Sequence, residues 1–268
     1  MKQNSPTRKL LTTSVLLALL ALVSVTAATV AWMTIADRTR VRSMRMEITS
    51  GANLRFDLDP HDEFDDYVKT LSFPDISQRI AQEKGFLPAD NPLVPVTTDD
   101  CVHFKLEDGS PAKQEYYLEF TLHFMSTVDM VVHLTSAGLD GTQISSPTPT
   151  LPQAMRLSFT VDGQTKIFDP GLGNTWRETE AGTVFGLPQG DAVTYHEGNT
   201  LFSLKAGVDK PVVLRLWLEG TDEACTDELR DADYSIRLRF VGTDKDGNLL
   251  EDARAASRRE TQKVKEGN

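Results

Sequence analysis

Two cysteines and five histidines are scattered through 268 residues, and nowhere do they fall into a familiar catalytic or metal-binding spacing. The patterns G-x-S-x-G, H-E-x-x-H, G-x-G-x-x-G and C-x-x-C and the Walker loop are all missing, so the sequence carries no signature of a hydrolase elbow, a zincin, a dinucleotide site or a phosphate loop. So few cysteines exclude a disulfide scaffold, and 40% hydrophobic with 25% charged residues excludes wholesale disorder. Helical periodicity is sparse, and the lack of an internal repeat disfavours a solenoid or propeller. No cysteine follows the N-terminal apolar run to take a lipid, no LPxTG-type sorting sequence is present, and there is no N-x-[ST] acceptor. Attachment to a surface therefore falls to the N-terminal segment or to assembly.

Charge is absent from Leu10 to Ala36, and Val15 to Val25 is almost wholly aliphatic. About 20 such residues span a bilayer core, and Lys2, Arg8 and Lys9 precede them, so the segment reads as an export signal or a signal anchor. Val25-Thr26-Ala27 before Ala28 resembles a cleavage site, whereas the apolar continuation through Trp32 and Ile35 suits a retained anchor. The net charge of -11 divides into +6 for residues 1–45 and -17 for the rest. Phosphate backbones would repel such an acidic body, which argues against nucleic acid as a partner.

Beyond residue 44 the dominant period is two. Leu118, Phe120, Leu122 and Phe124 alternate with polar residues, as do Leu157, Phe159 and Val161, then Val212, Leu214, Leu216 and Leu218, then Ile236, Leu238 and Phe240. Strands are also expected over Cys101–Leu106 and Val128–Leu134, the latter forming a hairpin with 115–125 about Ser126 and Thr127. One helix is predicted over 72–85, with Pro74 near its start and Gly85 as its stop. Segments 140–152 and 169–191 read as long loops, and Lys245-Asp246-Gly247-Asn248 as a turn. The expected fold is mainly β, an antiparallel sandwich or jelly roll with one short helix. Its parts are a signal peptide or anchor helix (1–36), a single exported domain (37–249) and a polar tail (250–268).

Four sets of residues are candidates for chemistry. Asp57, Asp59, Asp62 and Asp65 fall in a cluster dense enough to gather calcium; the plainer reading is a solvated acidic loop. Cys101 and Cys225 are expected to pair in an exported chain, and closing so long a loop stabilises by roughly 4 to 5 kcal/mol on the loop-entropy account. Trp176, Tyr195 and Trp217 are candidate stacking aromatics for a carbohydrate or other ligand. Trp217 alternates onto the face opposite Leu216 and Leu218, so it is either exposed or covered by a loop. His123 and His133 would share the expected hairpin, with a metal pair as the sharper reading and ordinary strand histidines as the plainer one.

Thr29-Val-Ala-Trp-Met-Thr-Ile-Ala-Asp37, closing the leader shortly before a strand at Met44–Ile48, resembles the leader-to-first-strand junction of the TasA/camelysin group. Leu204-Lys-Ala-Gly207, then Val212 to Leu218, then Glu219-Gly-Thr-Asp222-Glu-Ala-Cys225 is similar to a W-[LI]-E-G-x-D-x-x-C run in uncharacterised surface proteins of Gram-positive bacteria. The resemblance implies an exported jelly roll that, in TasA-like members, builds extracellular matrix fibres; camelysin-like members are described as surface metallopeptidases, and no zinc motif here can be carried over. Independently of it, a freed segment Trp32–Phe56 could add as a strand to a neighbouring copy; the plainer reading places Met44–Phe56 in the chain's own sheet. The leading expectation is a non-enzymatic structural or adhesive protein, outward-facing on the cell membrane or extracellular. A ligand-binding surface module and a metallopeptidase-like hydrolase are the alternatives, and no cofactor beyond calcium is implied.

Overall fold

A computed structural model describes residues 15, 17, 18, 40–48 (backbone only), 53–135, 141–188, 193–229 and 232–250. The leader thus lies outside the described residues apart from Val15, Leu17 and Ala18, and so does the polar tail beyond Leu250. Among the described residues no helix is long and apolar enough to cross a membrane.

The chain is mainly β, with two sheets. The smaller one runs β13 (Thr200–Leu204), β7 (Met130–Leu134), β15 (Asp233–Thr243), β1 (Arg40–Ile48) and β3 (Thr70–Ser72), with β8 (Gln143–Ser145) also beside β15. In the larger sheet β11 (Trp176–Thr179), β12 (Gly182–Phe185), β10 (Gln164–Phe168) and β9 (Met155–Val161) lead to β14 (Lys210–Glu219). The far edge of β14 is shared. Lys210–Leu216 pair with β6 (Leu118–Ser126), which carries β2 (Leu54–Asp57), while Leu218 and Glu219 pair with β4 (Pro95–Thr98), which carries β5 (Phe104–Lys105). Most pairings are antiparallel, but β1 with β15, β10 with β12 and β4 with β14 are parallel.

Period-two alternation explains where the core sits. Val212, Leu214, Leu216 and Leu218 of β14 and the matching residues of β6 and β9 join Ile236, Leu238 and Phe240 of β15 in one buried cluster, so both sheets feed the same core. Phe240 makes the junction, its ring 6.1 Å from Phe56, 5.1 Å from Phe124 and 6.0 Å from Phe159. Burying each such side chain is worth about 1.5–3 kcal/mol. Trp217 points to the opposite face of β14 and centres a second cluster with Val96, Cys101, Phe104, Ile167 and Val184.

The expected helix is present as α1 (Phe73–Lys84). Ser72 precedes it, with backbone N–H and hydroxyl both donating to Asp75 Oδ2 at 3.0 and 2.6 Å, and Gly85 ends it in the left-handed region at φ 81°. Phe73, Ile76 and Ile80 face the core. The Asp244–Asn248 turn also forms as read, Asp244 Oδ1 accepting from the backbone N–H groups of Asp246 and Asn248 at 2.8 and 2.9 Å.

Three expectations are corrected. The 115–134 hairpin does not form, because β6 lies in the larger sheet and β7 in the smaller, and the chain crosses between sheets at residues 127–129. His123 and His133 therefore stand on different sheets. The expected strand Cys101–Leu106 shrinks to Phe104–Lys105, since Cys101 sits in a turn at φ 58°. The presumed loop 169–191 contains the β11–β12 hairpin, and 140–152 contains β8 and the start of a helical turn, α2 (Leu151–Ala154). For Met44–Phe56 the described residues agree with the plainer reading: β1 pairs with β15 and β3, and β2 with β6, within the chain itself.

Candidate functional site

The segment that carries the W-L-E-G-T-D-E-A-C pattern turns a corner at the end of β14. Trp217 is only 2% exposed, under the Cys101–Phe104 loop, its ring 5.4 Å from that of Phe104. Its indole N–H donates to Glu219 Oε2 at 2.9 Å, and Glu219 Oε1 accepts from the Thr221 hydroxyl at 2.7 Å. Asp222 then closes the turn, Oδ1 accepting from the Ala224 N–H at 2.8 Å and its carbonyl from the Cys225 N–H at 2.9 Å. Trp217, Glu219, Thr221 and Asp222 thus all have internal partners, so the pattern is a clamp on the fold.

Beside this corner is a cleft of about 420 Å³, lined by Trp217, Glu219, Asp222, Arg156, Arg177 and Cys101 among others. Arg156 is its electrostatic centre. The guanidinium donates to Asp222, lies 3.2 Å from Asp169 Oδ2, and donates to the carbonyls of Gln153 and Met155 at 2.5 and 2.9 Å. Burial pushes the Asp169 carboxyl up from the usual range even though Arg156 pulls it down. The guanidinium is therefore a tie between β9, the end of β10 and the post-β14 corner. Sequence reasoning missed Arg156 and Asp169, which are far from the pattern in sequence and sit in otherwise ordinary strand ends.

A second cleft, of about 600 Å³, opens along β10, β11 and β12 and shares Glu180 and Ala181 with the first. Trp176 stands there, 51% exposed, among Gln164, Thr165, Lys166, Glu178 and Glu197. Lys166 Nζ donates to Thr183 Oγ1 at 2.9 Å and to the Glu197 carbonyl at 3.3 Å. The three candidate aromatics therefore do not share a platform. Trp217 is interior, Tyr195 is half-buried with its ring 4.8 Å from that of His133, and Trp176 alone presents itself to solvent.

The candidate calcium residues are not gathered around a common point. Asp57 Oδ1 accepts from the Leu58 N–H at 2.7 Å, Asp59 pairs with Arg79, Asp65 lies 2.9 Å from Arg55, and Asp62 is exposed. Arginines from β2 and α1 neutralise the loop piecemeal. Among the described residues no group of three or more His, Cys, Asp or Glu side chains is arranged to hold a metal ion.

The histidines have separate partners. His103 Nδ1 lies 2.7 Å from Asp100 Oδ2, His123 Nδ1 lies 2.8 Å from Asp209 Oδ2, and His196 Nδ1 accepts from the Gly198 N–H at 3.1 Å. His61 lies edge-on to Tyr67, whose hydroxyl donates to Asp209 Oδ1 at 2.7 Å; burial, with the nearby Asp209 charge, pushes that phenol up to about 12. His133 is 2% exposed, with Nδ1 3.1 and 3.2 Å from the two oxygens of Asn199 and Nε2 3.1 Å from Thr243 Oγ1. Two acceptors at Nδ1 put the proton there, leaving Nε2 to accept from the threonine hydroxyl.

The expected bridge between Cys101 and Cys225 is not formed; both are free, buried thiols. Cys101 packs with Trp217 on the outer face of β14, while Cys225 belongs to the core that Leu216 and Leu218 enter from the other face. Burial pushes each thiol up to about 12.

Two predictions arise here. Without reductant, the intact chain should show the fully reduced mass, and a thiol reagent should modify neither cysteine until denaturant is added; a mass 2 Da lower would contradict the packing of these thiols. Burial holds His133 neutral down to about 4, while an unfolded histidine takes its proton near 6.5. The unfolded state then binds more protons across that window, so stability falls by about 3 kcal/mol as pH drops from about 6.5 to about 4. In urea titrations at both pH values, His133→Gln should lose that share of the decline; an unchanged pH profile would refute the assignment.

No family model, curated protein or solved structure matches this chain.

Proposed function

We propose that this chain is an exported β-sandwich of jelly-roll type, attached to the cell envelope or released from it, with a structural or adhesive role. The observation that carries the reading is the position of β1, the strand that follows the apolar leader. It is paired on one edge, in parallel, with β15 from Arg40 to Ile48, and on the other with β3 at Arg45 to Glu47. A pull transmitted from an N-terminal anchor would run along β1 and load the β1–β15 hydrogen bonds in shear, all together and not one after another. A domain tethered at that end is built to bear tension.

The polar groups support the same reading. In the first cleft Arg156 is tied to Asp169, Asp222 and two backbone carbonyls, and Glu219 to Trp217 and Thr221, which suits a scaffold better than groups poised for proton transfer. A matrix or fibre role remains part of this proposal, through exposed sheet edges and not through a free arm, because β1 and β2 are already paired within the chain. The ligand-binding alternative is favoured by one observation, the exposed Trp176 beside its cleft.

The test is surface proteolysis of intact Gram-positive cells expressing the full chain, followed by fractionation. The folded domain is expected in the envelope or medium, with the envelope-bound portion removed by added protease. Recovery only inside the cells, untouched by protease, would overturn the proposal.

A further inference from the structure

We propose that the cleft formed by Trp176, Gln164, Lys166, Glu178, Glu180 and Glu197 binds a non-acidic glycan, one sugar ring stacking on the open face of the Trp176 indole. The proposal deepens the adhesive reading and rests on it for its setting outside the cell.

The geometry begins with Gly198. A Cβ placed on it would lie 2.5 Å from Cγ and 2.6 Å from Cδ1 and Cδ2 of Trp176. Near-equal distances to three ring atoms mean that the indole lies flat over this glycine. One face is therefore occupied by backbone, and the exposure of Trp176 belongs mainly to its other face and edge. A large flat apolar face left in water next to polar groups is the surface that the C–H face of a sugar ring covers.

The support beneath the indole is fixed before any ligand arrives. Gly198 lies in the turn Glu197–Asn199, where Lys166 holds the Glu197 carbonyl and His196 Nδ1 accepts the Gly198 N–H. Asn199 completes the brace: Oδ1 accepts from the His196 N–H at 3.0 Å and Nδ2 donates to the Thr194 carbonyl at 2.9 Å. Little side-chain ordering then opposes binding. At about 600 Å³ the cleft falls within the ~300–1,000 Å³ usual for small-ligand sites.

Charge selects the ligand class. Among the described residues, Asp100, Glu178, Glu180 and Glu197 line the cleft against Lys166 as its single cation. Carboxylates and the Gln164 amide accept and share sugar hydroxyl protons, whereas an acidic sugar would meet like charge. A lone open indole, without further aromatic walls, suits a ring-shaped ligand better than a cage for an ammonium group.

The test is calorimetric titration of the purified full chain with chitohexaose (neutral), a glucosamine hexamer (cationic), a galacturonate hexamer (acidic) and a lysine-rich peptide. Saturable binding of the neutral hexamer is expected, with no binding of the acidic one. Trp176→Ala should weaken the neutral hexamer by about tenfold or more at an unchanged unfolding midpoint, since the residue sits on an exposed edge. Gly198→Val, which displaces the indole while keeping it, should weaken binding similarly. No heat with either the neutral or the cationic hexamer, equal binding of the acidic one, a response to the peptide alone, or wild-type affinity in Trp176→Ala would each overturn the proposal. Failure here with surface exposure intact would leave the adhesive reading standing; protein confined to the cell interior would remove that reading whatever the titration gives.

Discussion

The structure depends on β14 being buried on both faces, from Leu214 to Leu218, while hydrogen-bonded on both edges. Its even-numbered residues from Val212 to Leu218 enter the core shared by the two sheets, and Trp217 enters the outer cluster. A slip of one residue would drive the indole into the inner core and the leucines outward, so the two clusters fix each other's register. That register sets the corner after β14, and the β14–β9 ladder carries it through β10 and β12 to β11. The exposed Trp176 is thus held in place, several strands away, by the same alternation that buries Trp217.

Electrostatics follow the same plan. An acidic chain must keep its carboxylates either solvated or paired, and here the partners come from distant elements. Glu119 shows the balance: burial alone would raise its carboxyl, but Lys84 at 2.8 Å and Arg215 at 2.6 Å hold it below the usual range. Arg156 pairs with both Asp169 and Asp222, and at Asp169 burial outweighs that pairing, leaving its carboxyl above the usual range. Around Trp176, four acid groups and one lysine among the described residues line the cleft, so the surface there keeps a negative field.

Much of this was legible from alternation alone. The inner faces of β6, β9, β14 and β15 follow from period two, and the limits of α1 from Ser72, Pro74 and Gly85. The two-way expectation for Trp217 also resolves simply, into burial beneath a loop. Sheet membership was not legible, because alternation says which residues face a core but not which sheet a strand joins; hence β6 and β7 were read as a hairpin. The pairing of β1 with β15 joins opposite ends of the chain, and no local signal announces it. The β11–β12 hairpin was hidden in a stretch rich in Gly and Pro, where Gly182 at φ 136° lets the chain pass against Thr165. The cysteine pairing failed for a geometric reason that spacing cannot express, since the two thiols belong to clusters on opposite faces of one strand. The Trp176 cleft was half legible: the aromatic stands out with Glu178 and Glu180 beside it, while Gly198 and Glu197 beneath it and Asp100 come from two distant segments.

The most direct test of this account is whether the inner and outer clusters unfold together. In urea, Trp217 emission reports the outer cluster when Trp32 and Trp176 are replaced by phenylalanine, and far-UV circular dichroism reports the two sheets. If β14 binds both clusters into one unit, the two transitions should coincide in midpoint and slope. A Trp217 transition completed well before the sheets unfold would contradict it, and with it the claim that β14 fixes the outer surface.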